Sequence, residues 1–176
     1  MLKKKLLNVL AILSFLIGTM NANAEKFEWN WTPKYQGEIN LGYKTTTKVQ
    51  GIDTYSQLAE LGTVQGVSLN QYLFLGVGID ALMFTHYYKG NGLRFAMDTY
   101  FDIRPTYPVT DNFKVYLDLG LGAYYSIKSE PSVGHDFFCQ FGPGFRYRKL
   151  NFCLGLQSMG TGNGSTGFFT KIGLYF

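Results

Sequence analysis

The sequence predicts an all-β chain closed into an eight-stranded antiparallel up-and-down transmembrane β-barrel, on three observations. First, Phe113–Ile127 alternates without a break. Phe113, Val115, Leu117, Leu119, Leu121, Ala123, Tyr125 and Ile127 share one parity; Lys114, Tyr116, Asp118, Gly120, Gly122, Tyr124 and Ser126 share the other. A period of two with one apolar face is a β-strand, and this one spans roughly 50 Å. Second, such alternating stretches recur eight times, separated by turn and loop residues. Third, the face opposite the apolar one is rich in Gly and Tyr and carries little charge. The chain holds 21 Gly, 13 Tyr and 15 Phe with only 16% charged residues. A soluble sandwich or lipocalin-like barrel would put its apolar face inside and need a more charged exterior. A barrel with lipid outside and polar groups inside fits the pattern.

The chain opens with Lys3, Lys4 and Lys5, an apolar run Leu6–Ile17, Gly18 and the small-residue site Ala22-Asn23-Ala24. That is the three-part pattern of a secretory signal peptide, expected over residues 1–24. A lead-in over 25–34 follows, with Trp29 and Trp31 as interfacial anchors, and the barrel domain covers 35–176. Losing the three leader lysines takes the formal net charge from +4 to +1, so there is no electrostatic case for nucleic acid. Beyond the leader no apolar run reaches the ~20 residues of a membrane helix. A closed barrel is then the remaining way to satisfy the backbone in lipid.

Taken in order, the first strand is expected over Tyr35–Thr47, with Tyr35, Ile39, Leu41 and Tyr43 outward and Gln36, Glu38, Asn40 and Lys44 inward. A polar loop follows, Lys48–Gln57. The second strand, Leu58–Leu69, is the least regular, because Thr63 and Gln65 interrupt its apolar face. Asn70-Gln71 makes a tight turn into Tyr72–Phe84. His86–Gly92 is a loop with turn chemistry, and Leu93–Arg104 is the fourth strand, closed by Pro105 and Pro108. The fifth is Phe113–Ile127, followed by the loop Lys128–Gly134. His135–Arg148 is the sixth, Lys149-Leu150 a tight turn, Asn151–Ser158 the seventh, and Thr166–Phe176 the eighth. Eight is an even number, and short turns alternate with longer connections. In bacterial barrels short turns face the periplasm, which places both termini there and the longer loops outside. Cys139 shares parity with outward Phe137 and Phe141, whereas Cys153 shares parity with inward Gly155 and Gln157, so both are expected as free thiols. A hairpin turning near Lys149 sets Cys153 opposite Arg146.

The segment Gly66-Val67-Ser68-Leu69-Asn70-Gln71-Tyr72-Leu73-Phe74-Leu75-Gly76-Val77-Gly78 resembles the strand–turn–strand unit of small eight-stranded outer-membrane barrels. These are the OmpA-type transmembrane barrel superfamily, and in particular its Bacteroides-like outer-membrane β-barrel family. Their turn is often Asn-Pro-Tyr; here Gln71 stands where Pro is usual. The resemblance covers the mature chain and implies the bacterial outer membrane as location. It implies outer-membrane lipid and the barrel-assembly machinery as partners, with terminal Phe176 matching the aromatic signal that machinery reads. It fixes no activity.

Four groups of residues carry potential chemistry. The inward charges Glu38, Lys44, Asp80, Arg94, Asp98, Asp102, Arg104, Lys114, Asp118, Arg146 and Lys171 form either an ion path or a pairing network. The network is favoured because side chains fill an eight-stranded interior. A turn centred on Tyr107–Pro108 sets Asp102 opposite Lys114. Inward Tyr72, Phe74, Tyr100, Tyr116, Tyr124, Phe138, Phe169 and Tyr175 would plug the remaining space. The inward glycines Gly76, Gly78, Gly120, Gly122, Gly142 and Gly144 give either room for those rings or a small lumenal cavity, with Gly120 neighbouring Gly142. His86 and His135 are the only histidines. Catalysis of the lipid-deacylating kind needs a hydroxyl near a base held by an acid. Ser132 lies in a loop, Asp136 points away from His135, and the positions two from His135 are Val133 and Phe137. Tyr87, Tyr88 and Pro131 mark the loops as a contact surface or an interfacial girdle. No HExxH, CxxC or phosphate-cradling glycine loop occurs.

The reading is a monomeric integral outer-membrane barrel with a filled polar interior. It has a structural or surface-presenting role, and no catalytic residue, cofactor or metal is expected. The alternatives are a narrow channel, a ligand- or partner-binding barrel, and a lipid A-modifying enzyme.

Overall fold

A computed structural model of the chain describes residues 31–47, 56–87, 95–127, 133–159 and 165–176. The expected leader, Trp29, Tyr88, Arg94, Pro131 and Ser132 lie outside the described residues. So do the side chains of His86, Tyr87 and His135. Eight strands follow one another: β1 Lys34–Thr47, β2 Ser56–Ser68, β3 Leu73–Tyr87, β4 Phe95–Pro108, β5 Phe113–Ile127, β6 Val133–Tyr147, β7 Leu150–Met159 and β8 Ser165–Tyr175. Each pairs antiparallel with its sequence neighbours, and β1 pairs with β8 from Glu38↔Tyr175 to Thr47↔Thr166, so the sheet closes on itself. At the seam, Gly37 and Phe176 exchange backbone hydrogen bonds of 3.0 and 2.9 Å. Closure leaves no free sheet edge among the described strands, the condition for a sheet to cross hydrocarbon.

The parity read from the sequence is the parity of the barrel wall. Leu41, Phe101, Leu121 and Ile172 are 65%, 70%, 54% and 58% exposed, while Lys44, Asp80 and Asp98 are 0% exposed. An exterior of this composition is a lipid-facing surface. No helix among the described residues is long and apolar enough to cross a membrane; the strands do the crossing.

At the end of the longer connections β2, β3 and β6 reach past their expected bounds. β2 begins at Ser56, β3 runs through His86 to Tyr87, and β6 begins at Val133, because backbone pairing continues into residues expected in loops. The other differences are differences of turn position. β4 does not stop at Arg104 but runs through Pro105, whose side chain faces outward, to Pro108. Val109 and Thr110 both donate their N–H to the Phe113 carbonyl, at 3.0 and 2.9 Å, which moves the turn beyond Pro108. Pro108 therefore faces Lys114, and Asp102 faces Gly120 rather than Lys114. The β6–β7 turn is Arg148-Lys149 instead of Lys149-Leu150, and Arg148 takes the left-handed φ of 55° that a two-residue hairpin requires. That one-residue shift sets Arg146 opposite Asn151 and Cys153 opposite Gly144. Likewise Gly120 faces Gln140, and Gly142 faces Asp118, so the two glycines are not partners. The Asn70 turn is one residue longer than expected: β2 ends at Ser68, β3 begins at Leu73, and the Leu69 N–H donates to the Leu73 carbonyl at 2.9 Å, so 70–72 turn the chain rather than Asn70-Gln71 alone. Asn70 Oδ1 accepts from the N–H of Tyr72 at 2.8 Å and of Leu73 at 3.0 Å.

Candidate functional site

The inward face of the wall gathers charge into two networks. In the first, Lys44 from β1 and Lys171 from β8 share the carboxylates of β2, β3 and β4. Lys44 Nζ lies 2.8 Å from Glu60, 2.6 Å from Asp98 and 3.5 Å from Asp80. Lys171 Nζ lies 2.9 Å from Glu60 and 3.0 Å from Asp80, and donates to the Tyr100 hydroxyl at 3.2 Å. Two ammonium groups thus hold three carboxylates in a region closed to water. Isolated ions there would cost several kcal/mol each; pairing is what makes their burial tolerable.

The second network is centred on Arg104 of β4. Its guanidinium pairs with Glu38 of β1, with Asp102 at 2.7 Å on its own strand, and with Asp118 of β5 at 3.3 Å. The planar fork suits this, since several N–H groups can serve different carboxylates at once. Phe74 and Tyr116 rings each lie 5.5 Å from the guanidinium carbon, adding cation–π attraction in a desolvated site. Two amides support the acids: Asn151 donates to Glu38 at 2.9 Å and Gln140 to Asp118 at 2.6 Å. Arg104 is 2% exposed.

Nine of the eleven charges singled out in the sequence are accordingly buried inside the wall: Glu38, Lys44, Asp80, Asp98, Asp102, Arg104, Asp118, Arg146 and Lys171. Lys114 is half-buried at the end that carries the short turns, and Arg94 lies outside the described residues. Lys114 and Arg146 join neither network. Sequence reasoning missed Glu60, which both lysines of the first network engage. Its signal was present: Leu58, Glu60, Gly62, Val64 and Gly66 share the inward parity of β2. Leu58 and Val64 are both 0% exposed, and apolar residues on the polar face obscured it.

The glycines lie beneath rings and backbone. A Cβ on Gly78 would strike the Tyr100 ring, one on Gly144 the Tyr116 ring, and one on Gly76 the Phe74 ring. On Gly120 it would strike the Gln140 side chain, on Gly122 the Thr99 carbonyl and on Gly142 the Leu154 carbonyl. These positions make room for neighbours that already fill it. Toward the end of the longer connections the lumen turns apolar, with Leu58, Leu82, Ala96, Phe138 and Met159 buried together. The Lys44 ammonium sits 4.9 Å from the Phe138 ring centre. Phe74, Tyr100, Tyr116, Phe138, Phe169 and Tyr175 are buried as expected, whereas Tyr72 and Tyr124 are half-buried.

Both cysteines are free, Cys153 buried and Cys139 half-buried. Among the described residues no group of three or more His, Cys, Asp or Glu side chains is spaced to hold a metal ion. Terminal Phe176 is 58% exposed on the outer face, its ring lying over Gly37.

No protein-family model and no curated protein matches the chain. Solved structures do. Neisserial surface protein A has a TM-score of 0.55 at 11% identity, over 82% of this chain and 99% of that one. The outer membrane enzyme PagL has a TM-score of 0.54 at 10% identity, over 78% and 98%. The N-terminal β-barrel domain of Pseudomonas aeruginosa OprF has a TM-score of 0.50 at 15% identity, over 82% and 100%. At these identities the likeness is one of fold. By its closed wall, its outward apolar belt and these neighbours, the chain is a small eight-stranded transmembrane β-barrel of the outer-membrane type.

Proposed function

We propose that this protein is an integral component of a bacterial outer membrane, with a sealed polar interior, a structural or surface-presenting role and no catalysis of its own. The observation that carries this reading is the use of the interior charges. Lys44 and Lys171 engage Glu60, Asp80 and Asp98, and Arg104 engages Glu38, Asp102 and Asp118. Rings and apolar side chains occupy the remaining lumen of the described residues. On this reading the charges of the two networks, committed to one another, leave no continuous water-lined path through the described residues. The neighbours do not decide the question of catalysis, since one of them is an outer membrane enzyme.

In the proposed orientation the turns at Asn70, Asp111 and Lys149 and both termini face the periplasm, and the longer connections face outside. Membrane lipid covers the outward face, and Phe176 serves the assembly machinery. Protease treatment of intact cells tests the orientation: cleavage is expected within 48–55, and cleavage at the Asn70 or Lys149 turn instead would reverse it. Mass analysis of lipid A from cells with and without the gene tests the absence of catalysis. An unchanged profile is expected; an altered acyl pattern restored by the wild-type gene and not by His135→Ala would establish a lipid-modifying enzyme.

A further inference from the structure

Lys114 and Arg146 form a directly opposed cross-strand pair of like charges on β5 and β6. Such pairs destabilise a sheet, so their persistence at one end of the lumen calls for a cause. Lys114 is repelled by Arg146 and by Lys34 of β1, with no carboxylate among the principal charges acting on it. Lys34 shares the inward parity of Gln36 and Glu38, and it stands where β1 begins, at the same end of the barrel. Arg146 is 8% exposed, and its Nε has no hydrogen-bond partner. Its guanidinium carbon rests 3.8 Å from the centre of the Tyr175 ring, and the Tyr175 hydroxyl, also buried, has no partner either. No ion pair joins Lys34, Lys114 or Arg146 to an acid among the described residues. This contrasts with Arg104 one layer deeper, which meets three carboxylates.

We infer that Lys34, Lys114 and Arg146 form an anion site at the turn end of the lumen, shaped for a phosphate-type oxyanion, with the Tyr175 hydroxyl as a further donor. Three positive charges around a rim with low-dielectric walls focus an attractive potential for an anion. The buried, undonated Nε of Arg146 is the part of a guanidinium fork that binds phosphate in bidentate fashion. A bound anion converts the opposed Lys114–Arg146 pair from a repulsive contact into two arms of one clamp. Phospholipid headgroups and free phosphate share this chemistry. The site stands on its own geometry and does not depend on which side of the membrane the turns face.

The test uses the refolded full barrel in zwitterionic detergent, with phosphorus NMR titration of inorganic phosphate. It also compares the unfolding midpoint in phosphate with that in chloride at matched ionic strength. Flotation with phosphatidylglycerol or phosphatidylcholine vesicles gives the lipid arm. A saturable phosphate shift with a raised midpoint marks a soluble anion; tighter association with phosphatidylglycerol alone marks a headgroup; both together mark a site open to either. In each case Lys114→Gln is expected to weaken binding on the order of tenfold, and Arg146→Lys to bind better than Arg146→Gln. Folding of each variant is checked by its heat-modifiable gel mobility, and Lys114, being half-exposed, keeps the test alive if Arg146→Gln does not fold. No response in either arm, or a response that Lys114→Gln leaves unchanged, overturns the proposal.

Discussion

At the scale of single residues, this interior is governed by the cost of leaving a charge or a volume unmatched. Among the described residues Arg104 is the one cation in ion-pair contact with Glu38, Asp102 and Asp118, and removing it leaves three buried acids facing one another. Arg104→Ala is expected to destabilise the barrel by about 3–5 kcal/mol, read as a fall in the urea unfolding midpoint in detergent. Arg104→Lys keeps one charge but loses the fork, and should fall between. Volume is as tightly set. Gly78 lies under the Tyr100 ring, so Gly78→Ala is expected to cost about 1–3 kcal/mol by overpacking. Combining it with Tyr100→Leu should recover part of that loss, a non-additivity that a double-mutant cycle measures. Simple addition of the two losses would show that ring and glycine do not contact each other.

At the scale of the element, strands were legible and their ends were not. Alternation identifies a strand because each inward slip would carry a whole apolar face off the lipid, and β5 keeps the bounds its sequence gives, Phe113–Ile127. Turn positions depend instead on backbone hydrogen bonds and local φ. Arg148 adopts a φ of 55°, which nothing in an arginine side chain announces, and the one-residue shift it brings moved Cys153 from Arg146 to Gly144. The prolines of β4 misled in the same way. A proline lacks an N–H, yet it is tolerated where the ladder does not need one, and β4 runs past Pro105 to Pro108. Two predictions belong here. Arg148→Gly is expected to be neutral or stabilising by up to about 1 kcal/mol, since glycine takes a positive φ without penalty, whereas Arg148→Val should destabilise. Asn70→Ala removes the acceptor for the N–H groups of Tyr72 and Leu73 and should cost about 1 kcal/mol. Thermal unfolding monitored by gel mobility reads both.

At the scale of the whole molecule, the wall is an inverted version of a soluble barrel, with exposure and polarity exchanged. Long apolar side chains cover the outside, and the inside is divided into an apolar section beneath the longer connections, two acid-rich ionic networks, and a basic rim at the turn end. The class was readable because it is written in every strand. The partition was not, because which acid meets which cation depends on register around the closed sheet. Asp98 and Lys44 lie 54 positions apart in the chain and come within 2.6 Å only through closure. In the proposed reading the two networks and the rings between them together occlude the lumen, and occlusion is the property from which the structural role follows.

Planar-bilayer recording of the purified barrel tests that property most directly. The account predicts a bilayer with no steady single-channel steps for the wild type, and new conductance when Arg104 and Lys171 are both replaced by alanine in a variant that still shows heat-modifiable mobility. Steady, reproducible steps from the wild-type protein would contradict it, placing water rather than paired side chains along the axis and making this barrel a channel.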